Sequence, residues 1–566
     1  MILGASIHEE CGIMGVWDSP SSASLVCRGL LEIQHRGQEG CGISILHPDG
    51  HLSCSKGLGL VTEVFGAGLE PNFPEQQNAS PEVSDASAAT ANSAAEQDEV
   101  QENATVSASA AIGHVRYGTS GGRELDNVQP FLIHQRRGDF AIAHNGNIVN
   151  AEVLKDRLCD QGDVFGSSSD TEVIAHLICR ARRPAVDTPA LPLSEERCSV
   201  EGQAQTCRPA VDTPALPLPE ERCSVEGQAQ TCRPAVDAPG LEANSVDIME
   251  EAISDAMMQL DGAASVVVLT REAMFVCRDP YGFRPLSIGR LGSGWAAASE
   301  TCALVKIGAT DICDVLPGEI VTFSAQGIRR RMFSSPCPDC QRDRVSPAPQ
   351  SRMCAMEYIY FARPDSDIEG VNVHSFRKNS GRVLFEESPV DADMVIGVPD
   401  SGMSAATGYS EASGLPLEMG LLKNAYSRRT FIQPSQGMRD LGVMMKLTPV
   451  RSVIRGKRLI VIDDSIVRGT TSLKIVRMLR KAGASEVHMR ITSPMITSPC
   501  FYGVDISSRS ELLCADRDLE KARQAIEADS LAFISQEGLL RASGRRSLCF
   551  ACFDRDYPTK LYSHQI

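Results

Sequence analysis

The chain has 566 residues, of which 42% are hydrophobic and 22% charged, which is typical of a globular protein with about three or four domains. Its 72 acidic and 55 basic residues give a formal net charge of −17, which opposes non-specific binding to nucleic acids or anionic membranes. No long apolar run and no secretory signal pattern is present, so the 20 cysteines do not indicate a disulfide scaffold. We expect a cytoplasmic protein with no nucleic acid and no membrane partner.

Two stretches differ from the rest in composition. Residues 71–110 are rich in Ala, Ser, Glu and Asn, and residues 183–240 contain a 25-residue repeat in which Arg183–Cys207 recurs as Arg208–Cys232. Neither stretch has enough large apolar side chains to offset the entropy lost on ordering. Both are interpreted as insertions, and the repeat as a duplicated surface loop rather than a solenoid.

The insertions interrupt a first domain at 11–335, and a linker at 336–352, rich in Ser, Pro and charge, precedes a second domain at 353–566. The short apolar runs that predict strands are Ala141–His144, Val266–Leu269 and Ile320–Phe323 in the first domain, and Met394–Val398 and Leu459–Ile462 in the second. In the second domain a turn and a helical pattern follow each run, which favours a parallel sheet with crossover helices. The first domain instead predicts a layered β core.

The most informative segment of the second domain is Val461–Ser472, in which a strand ends in Asp463 and Asp464 and a turn leads into a helix that Gly483 should stop. Carboxylates at this edge of a parallel sheet point into the crevice where such folds bind ligands. The turn places N–H groups and hydroxyls at a helix N-terminus, which suits a phosphate group. The residues of this turn are Arg468, Gly469, Thr470 and Thr471.

Val461–Ser472 resembles the 5-phosphoribosyl-1-pyrophosphate (PRPP) loop of type I phosphoribosyltransferases. The resemblance implies that Asp463 and Asp464 bind the ribose and, with Ser401, a Mg²⁺ ion, and that the Thr-rich turn binds the 5-phosphate. It also implies that Lys423–Lys446 is a mobile loop that closes over PRPP, with Lys446 contacting the substrate. The alternatives are two exposed aspartates that cap a helix and a solvated basic loop.

In the first domain, Cys11 opens a series of short polar motifs: Gln34–Gln38 (QHRGQ), Gly113–Thr119 (GHVRYGT), His144–Asn147 (HNGN) and Ser168–Thr171 (SSDT). In this order they resemble the class II glutamine amidotransferases, which are N-terminal-nucleophile hydrolases. The resemblance implies that the Cys11 thiol attacks the glutamine amide and that its own α-amino group is the base. It further implies an oxyanion hole of Asn145 and Gly146, and a glutamine site of Arg116 and Asp170.

A terminal base requires a free terminus, because an α-amino group titrates near neutral pH only when it is not part of a peptide bond. We therefore predict that residues 1–10 are a propeptide and that cleavage follows Glu10. Two alternatives stay open: Cys11 is a buried structural thiol, or it works in a Cys-His-Asp hydrolase with His35 or His114. We expect both histidines to be hydrogen-bonded structural residues.

Near the C-terminus, Cys549 and Cys552 form a C-x2-C pair, and such a pair can bind zinc or an iron–sulfur cluster. The family resemblance implies that Cys354 and Cys500 complete the ligand set of a [4Fe–4S] cluster with a structural or redox-sensing role. A second C-x2-C pair, Cys337 and Cys340, keeps a four-thiolate zinc site open as the rival.

Taken together, the two halves resemble the glutamine PRPP amidotransferases. The resemblance implies an N-terminal-nucleophile αββα domain (α+β) followed by a type I phosphoribosyltransferase domain (α/β) with a mainly parallel sheet. The implied reaction converts glutamine, PRPP and water to 5-phosphoribosylamine, glutamate and pyrophosphate, the first step of de novo purine biosynthesis. Purine nucleotides are the expected inhibitors and a homotetramer the expected assembly. The alternatives are a purine- or PRPP-binding regulator that has lost transfer, and a glutaminase that serves another acceptor.

Overall fold

The computed structural model describes residues 11–66, 109–117, 125–182, 244–334, 351–423, 447–506 and 508–562. The predicted propeptide, the repeat insertion and nearly all of the Ala/Ser-rich insertion and of the linker lie outside these ranges. Within them, the two halves of the chain belong to one compact unit. No helix of the described ranges is both long and apolar enough to pass through a bilayer.

The described residues of the first half form two antiparallel sheets of seven and six strands. The strands are β1 (Gly12–Trp17), β2 (Gly40–Leu46), β3 (Leu52–Leu58), β4 (Ala110–Arg116), β5 (Phe131–Ile133), β6 (Phe140–Ile148), β7 (Gly262–Thr270), β8 (Ala273–Arg278), β9 (Ser287–Leu291), β10 (Gly294–Ala298), β11 (Thr310–Asp314), β12 (Glu319–Ser324) and β13 (Gly327–Met332). The strand orders are β11-β9-β10-β1-β4-β2-β3 and β13-β12-β8-β7-β6-β5.

Helices cover the outer faces of both sheets. The helices of this half are α1 (Ser22–Glu32), α2 (Val61–Val64), α3 (Ala151–Asp160), α4 (Asp170–Ala181), α5 (Ser245–Met257) and α6 (Thr301–Lys306). Helices α1 and α6 pack on the seven-stranded sheet, and α3, α4 and α5 pack on the six-stranded sheet. Between the sheets lies an apolar layer that includes Ile13, Ile112 and Val267. The predicted αββα architecture is confirmed.

The second half is built on a four-stranded parallel sheet among the described residues. The strands of this half, including two separate two-stranded sheets (β14-β15 and β17-β18), are β14 (Asp367–Ile368), β15 (Val371–Asn372), β16 (Met394–Gly397), β17 (Leu421–Lys423), β18 (Leu447–Pro449), β19 (Arg458–Asp463), β20 (Glu486–Ile491) and β21 (Ser530–Phe533). Its helices are α7 (Val373–Glu387), α8 (Met403–Ser413), α9 (Arg451–Ile454), α10 (Thr470–Ala482), α11 (Leu519–Ala525), α12 (Gln536–Ser543) and α13 (Ala551–Asp554).

The order of the parallel sheet is β16-β19-β20-β21. Successive side chains of β19 alternate between two cores, because a strand presents every second residue to the same face. Ile460 and Ile462 pack toward α7 and α8, whereas Leu459 and Val461 pack toward α10 and α11. A one-turn π-helix at Glu357–Phe361 precedes this sheet in the chain. The predicted parallel sheet is therefore confirmed.

The two halves contact each other through aromatic and polar groups. The rings of Phe283 and Tyr502 stack with centroids 4.3 Å apart. Arg284 Nη2 donates to the carbonyl oxygen of Tyr502 at 2.5 Å, and Asn147 Nδ2 donates to that of Phe501 at 2.9 Å. These contacts connect the strand that carries the predicted oxyanion residues to the segment around Cys500.

Candidate active site

The first candidate site is a pocket with about 350 Å³ of empty space. It brings together Cys11, Arg116, Gly146 and Asp170, four of the five residues implied by the amidotransferase motifs. Asn145 lies beside Gly146 on β6 but is not among the lining residues, and its Nδ2 donates to Ser299 Oγ at 3.3 Å. The lining residues that were not predicted are Tyr117, Asn127, Gln129, His144 and Ser169. Tyr117, His144 and Ser169 stand within the motifs, whereas Asn127 and Gln129 carry no recognisable signal.

Cys11 directly precedes β1 and is partly exposed. Its Sγ donates to the carbonyl oxygen of Tyr117 at 3.6 Å, and its own carbonyl oxygen accepts from Arg36 Nε at 3.1 Å. Glu300 Oε1 accepts a hydrogen bond from Nη1 of the buried Arg36 at 2.8 Å and lies 2.7 Å from His35 Nε2. His35 is thus a hydrogen-bonded residue that supports the backbone of Cys11 through the shared carboxylate.

His114 differs from this expectation. It is fully buried on β4, and in the described residues neither of its ring nitrogens meets the geometry of a hydrogen bond. Burial, followed by the charges of His144 and Arg116, lowers the pKa of His114 to about 3. A histidine that stays neutral to such a low pH is a weak base. The structure therefore gives no support to a Cys-His-Asp arrangement that uses His114.

Opposite charges line the pocket. Arg116 is buried, and Asp170 is the first residue of α4, where its Oδ2 accepts from the Ile148 N–H at 3.0 Å. Burial raises the pKa of Asp170, but nearby His144 and the backbone N–H donors outweigh burial and hold that pKa below its ordinary value. The carboxylate is therefore ionised at neutral pH. A cation and an anion in one pocket suit a zwitterionic amino acid.

Gly146 occupies a position that only glycine can fill. Its φ is +150°, and a Cβ atom here would lie 2.0 Å from the carbonyl oxygen of Ala263 on the neighbouring strand. The absence of a side chain leaves the backbone of Gly146 at the pocket wall. A backbone N–H that points into a site is the kind of donor that stabilises an oxyanion.

The second candidate site lies at the carboxyl edge of the parallel sheet, where Asp463 ends β19 and Asp464 follows it, each 7% exposed. Ser401 Oγ donates to Asp464 Oδ2, and the Asp464 N–H donates to Asp463 Oδ1 at 3.0 Å. Burial and the charge of Asp464 raise the pKa of Asp463 well above its ordinary value. Burial also raises the pKa of Asp464, opposed by Ser401 and Ser465. A buried carboxylate pair of this kind is stabilised by a cation or by hydroxyl donors.

The predicted phosphate turn follows the acidic pair. Gly469 has a φ of +76° and precedes the 13-residue helix α10, which begins with Thr470 and Thr471. A left-handed residue at this point favours glycine, and a Cβ would also lie 2.9 Å from Leu513 Cδ2. The N–H groups of the first helical turn lack partners within the helix and are available to an anion. Arg468 is paired with Glu511, with Nε 3.1 Å from Oε2.

The structure also brings the four predicted cysteines together. Cys354 and Cys549 pair as an isolated β-bridge, and Cys552 has a pKa raised by burial and then by the nearby thiols of Cys500, Cys354 and Cys549. The Tyr502 N–H donates to Cys500 Sγ at 3.3 Å. Across the described ranges, no group of three or more His, Cys, Asp or Glu side chains is arranged to hold a metal ion.

Three predicted features of these sites lie outside the described residues. They are the propeptide at 1–10, Lys446 with the loop residues 424–445 that precede it, and the cysteine pair Cys337 and Cys340. Lys423, the last described residue before that loop, is paired with Asp400.

Known proteins match nearly the whole chain. A family model for a glutamine amidotransferase domain matches residues 75–187. The amidophosphoribosyltransferase of Bacillus subtilis is 41% identical over 568 residues, which cover 99% of this chain and 96% of that protein. The enzyme of the same name from Staphylococcus aureus is 38% identical, covering 99% and 93% respectively. This chain belongs to the amidophosphoribosyltransferases.

Solved structures agree with this assignment. The glutamine PRPP amidotransferase from B. subtilis, in complex with ADP and GMP, has a TM-score of 0.73 and 40% identity, and covers 98% of this chain and 99% of its own. A structure described as the allosteric regulatory enzyme of purine biosynthesis has a TM-score of 0.74 and 40% identity, with 98% of both chains covered. The expected fold and the expected class, a glutamine-dependent glycosyltransferase, are confirmed. The match to amidophosphoribosyltransferases includes the second half of the chain, where a glutaminase that serves another acceptor would have a different domain.

Proposed function

We propose that this amidophosphoribosyltransferase releases ammonia from glutamine in the Cys11 pocket and transfers it to C1 of PRPP bound at Asp463 and Asp464, with release of pyrophosphate. The proposal depends on one observation: a single chain holds both a pocket with opposite charges beside a cysteine and a buried acidic pair before a Gly- and Thr-rich turn at a helix N-terminus. The test is the formation of 5-phosphoribosylamine and pyrophosphate by the purified protein with glutamine, PRPP and Mg²⁺. Absence of both products would contradict the proposal.

In the glutaminase half, the Cys11 thiolate attacks the side-chain amide carbon of glutamine, and the α-amino group of Cys11 takes the thiol proton and later gives it to the leaving ammonia. Arg116 binds the α-carboxylate and Asp170 the α-ammonium group, supported by their opposite charges in one pocket. The backbone N–H of Gly146 stabilises the tetrahedral oxyanion, together with Asn145 once its side-chain amide turns from Ser299. Water then releases glutamate from the thioester.

This chemistry predicts that the active protein begins at Cys11. An α-amino group has an ordinary pKa of about 7.7 to 8.0, close to neutral, whereas the peptide nitrogen of an unprocessed Cys11 cannot act as a base. We expect the intact mass and the N-terminal sequence of purified enzyme to show that Met1–Glu10 has been removed. Fully active glutaminase that keeps residues 1–10 would contradict this mechanism.

In the acceptor half, Asp463 and Asp464 bind the ribose hydroxyls, and the turn of Arg468, Gly469, Thr470 and Thr471 binds the 5-phosphate through its N–H and hydroxyl groups. Ser401, Asp463 and Asp464 supply the hard oxygen ligands that Mg²⁺ prefers. When bound, Mg²⁺ would neutralise negative charge on the pyrophosphate leaving group. Lys446 remains a proposed PRPP ligand from the loop that precedes β18.

We further propose that Cys354, Cys500, Cys549 and Cys552 hold a [4Fe–4S] cluster. The proximity of the other three thiols to Cys552 supports this proposal, and the N–H donor to Cys500 would stabilise a thiolate. The role of such a cluster would be structural or redox-sensing, because no step above uses it.

The cluster predicts a specific metal content. Protein purified without oxygen should contain about four irons and four sulfides per chain and lose its visible absorbance in air. A Cys552→Ser variant should lose iron and sulfide together, whereas Cys514→Ser, a buried cysteine in a different core, should keep both. One zinc per chain without sulfide would contradict the prediction.

The proposal extends to regulation and assembly. The related B. subtilis structure is described as a complex with ADP and GMP, which supports purine nucleotides as inhibitors of this chain. A homotetrameric assembly, which the family resemblance implies, is part of the same proposal. So is a cytoplasmic location, since de novo purine synthesis uses soluble metabolites.

A further inference from the structure

Arg36 is a buried residue in direct contact with the proposed nucleophile. It is 1% exposed, and its Nε donates to the carbonyl oxygen of Cys11 at 3.1 Å. A guanidinium group is planar and presents its donors in a fixed fork, so whatever binds its two terminal nitrogens also sets the direction of Nε. The partners of those nitrogens therefore influence where the backbone of Cys11 lies.

One of these partners comes from the other half of the chain. Glu357 Oε1 accepts from Arg36 Nη2 at 2.6 Å, and Oε2 accepts from Nη1 at 2.9 Å, a bidentate pair in which both side chains are fully buried. Arg284 Nη1 also donates to Glu357 Oε1, at 3.3 Å. Glu300, on the glutaminase side, completes a buried group of two guanidinium and two carboxylate side chains. Removing one charge from such a group leaves the others uncompensated.

Glu357 is held on a segment that belongs to the acceptor half. It opens the π-helix Glu357–Phe361, and the carbonyl oxygens of Tyr358 and Ala362 at this turn each accept from Arg377 at 2.8 Å. Arg377 is a buried residue of α7, close enough to Asp464 for their charges to interact. The carboxylate that orients Arg36 is therefore anchored to the element that also faces the acidic pair.

We infer that Glu357, a residue of the acceptor half, is a positioning residue for the glutaminase nucleophile: it fixes Arg36, and Arg36 fixes the backbone of Cys11 and so the direction of its thiol and α-amino groups. This inference rests on the role of Cys11 proposed above. It assigns to the acceptor half a part in the glutaminase step.

Glu357 acts through charge as well as geometry. The charged groups around Cys11 are Arg36 with its second partner Glu300, together with Arg116 and Asp170. The further titratable side chains near them are His35, His114, His144 and Tyr117. If Glu357 is neutral, Arg36 is less compensated and its positive charge opposes protonation of the nearby α-amino group. The base then loses its proton at lower pH, so the acid limb of the glutaminase pH profile moves to lower pH.

The test is Glu357→Gln in the full-length enzyme. We expect kcat for glutamine hydrolysis to fall about 10- to 100-fold, since small displacements of a reacting group have effects of this size. KM for glutamine should stay within about twofold because Arg116 and Asp170 are untouched, and synthesis from added ammonia should stay unchanged, which also shows that the acceptor half is folded. The acid limb should move to lower pH. Glu357→Asp keeps the charge but shortens the reach, so its kcat should fall while its acid limb stays in place.

Glu369→Gln is the matched control. Glu369 is another largely buried glutamate of the second half that pairs with an arginine of the first, 2.6 Å from Arg278 Nη2. Its loss should lower the unfolding temperature without moving kcat for glutamine or the acid limb. An unchanged kcat and acid limb in Glu357→Gln, or the same changes in Glu369→Gln, would overturn the inference. Glutamine use that survives Cys11→Ala would instead overturn the proposed function itself.

Discussion

Cys11→Ala is expected to lower glutamine-dependent synthesis of phosphoribosylamine by at least about 10³-fold while synthesis from added ammonia continues at the wild-type rate. The variant removes the only atom in the proposed glutaminase mechanism that forms a covalent bond to glutamine. Asp463 and Asp464 stay in place, so free ammonia should still attack PRPP bound in the acceptor half. Pyrophosphate release, measured with glutamine and with ammonium chloride in parallel, reports both activities.

Cys54→Ala is a suitable control for this experiment. Cys54 is also a partly buried thiol in the first half, and its Sγ donates to the carbonyl oxygen of Pro130 at 3.5 Å, outside the Cys11 pocket. The Cys54→Ala variant should use glutamine at the wild-type rate. If Cys11→Ala still used glutamine, the nucleophile would have to be another residue; if it lost ammonia use as well, the separation of the two sites would be wrong.

Local sequence patterns predicted strand positions to within one or two residues where an element is short and fully buried. The apolar run Leu459–Ile462 became β19 at Arg458–Asp463, and Gly483 ends α10 with a φ of +104°. These features depend on neighbours in the chain, namely alternation along a strand and the left-handed cap of a helix. The stacking of two sheets in the first half depends on contacts between distant segments: the strand pattern predicted a layered β core, but only the family resemblance predicted the αββα order.

Site residues that no sequence motif predicted also depend on contacts between distant segments. Gln129 reaches the pocket because its Oε1 accepts from the His144 N–H at 2.7 Å, a contact between different strand regions that no local motif encodes. Glu357 did carry a signal, since it is a lone carboxylate in the apolar run Met353–Phe361, where burial demands a partner. That partner, Arg36, lies 321 positions away in the sequence, so no local pattern identifies it. A buried charge can thus be noticed in a sequence before its partner can be named.

Asp463→Asn should have the opposite pattern of activity to Cys11→Ala. Synthesis should fall by at least about 100-fold with either nitrogen donor, because the ribose and Mg²⁺ lose a carboxylate, whereas hydrolysis of glutamine at Cys11 should persist. The amide oxygen of Asn can still accept from the Asp464 N–H, as Asp463 Oδ1 does at 3.0 Å, so the local backbone should be kept. Loss of glutamine hydrolysis alone, with transfer intact, would contradict the assignment of this site.

The same variant should be more stable than the wild type in the absence of substrate. Burial and the charge of Asp464 raise the pKa of Asp463 in the folded state, so ionisation costs folding free energy, and that cost grows as pH rises from the unfolded pKa through the folded one. We therefore expect the unfolding temperature of Asp463→Asn to exceed that of the wild type by a few degrees at neutral pH, and the difference to shrink in acid, where both proteins carry a neutral side chain. Asp393→Asn, just before β16, should show the reverse sign, because Asp393 accepts from the N–H of Arg458, the first residue of β19, at 2.9 Å and its pKa is lowered by that bond. Asp463 would then destabilise the protein without ligand at one end of β19, whereas Asp393 stabilises it by binding the N–H at the other end of that strand. This difference is expected when the charge of the first carboxylate is balanced by its ligands and not by the fold.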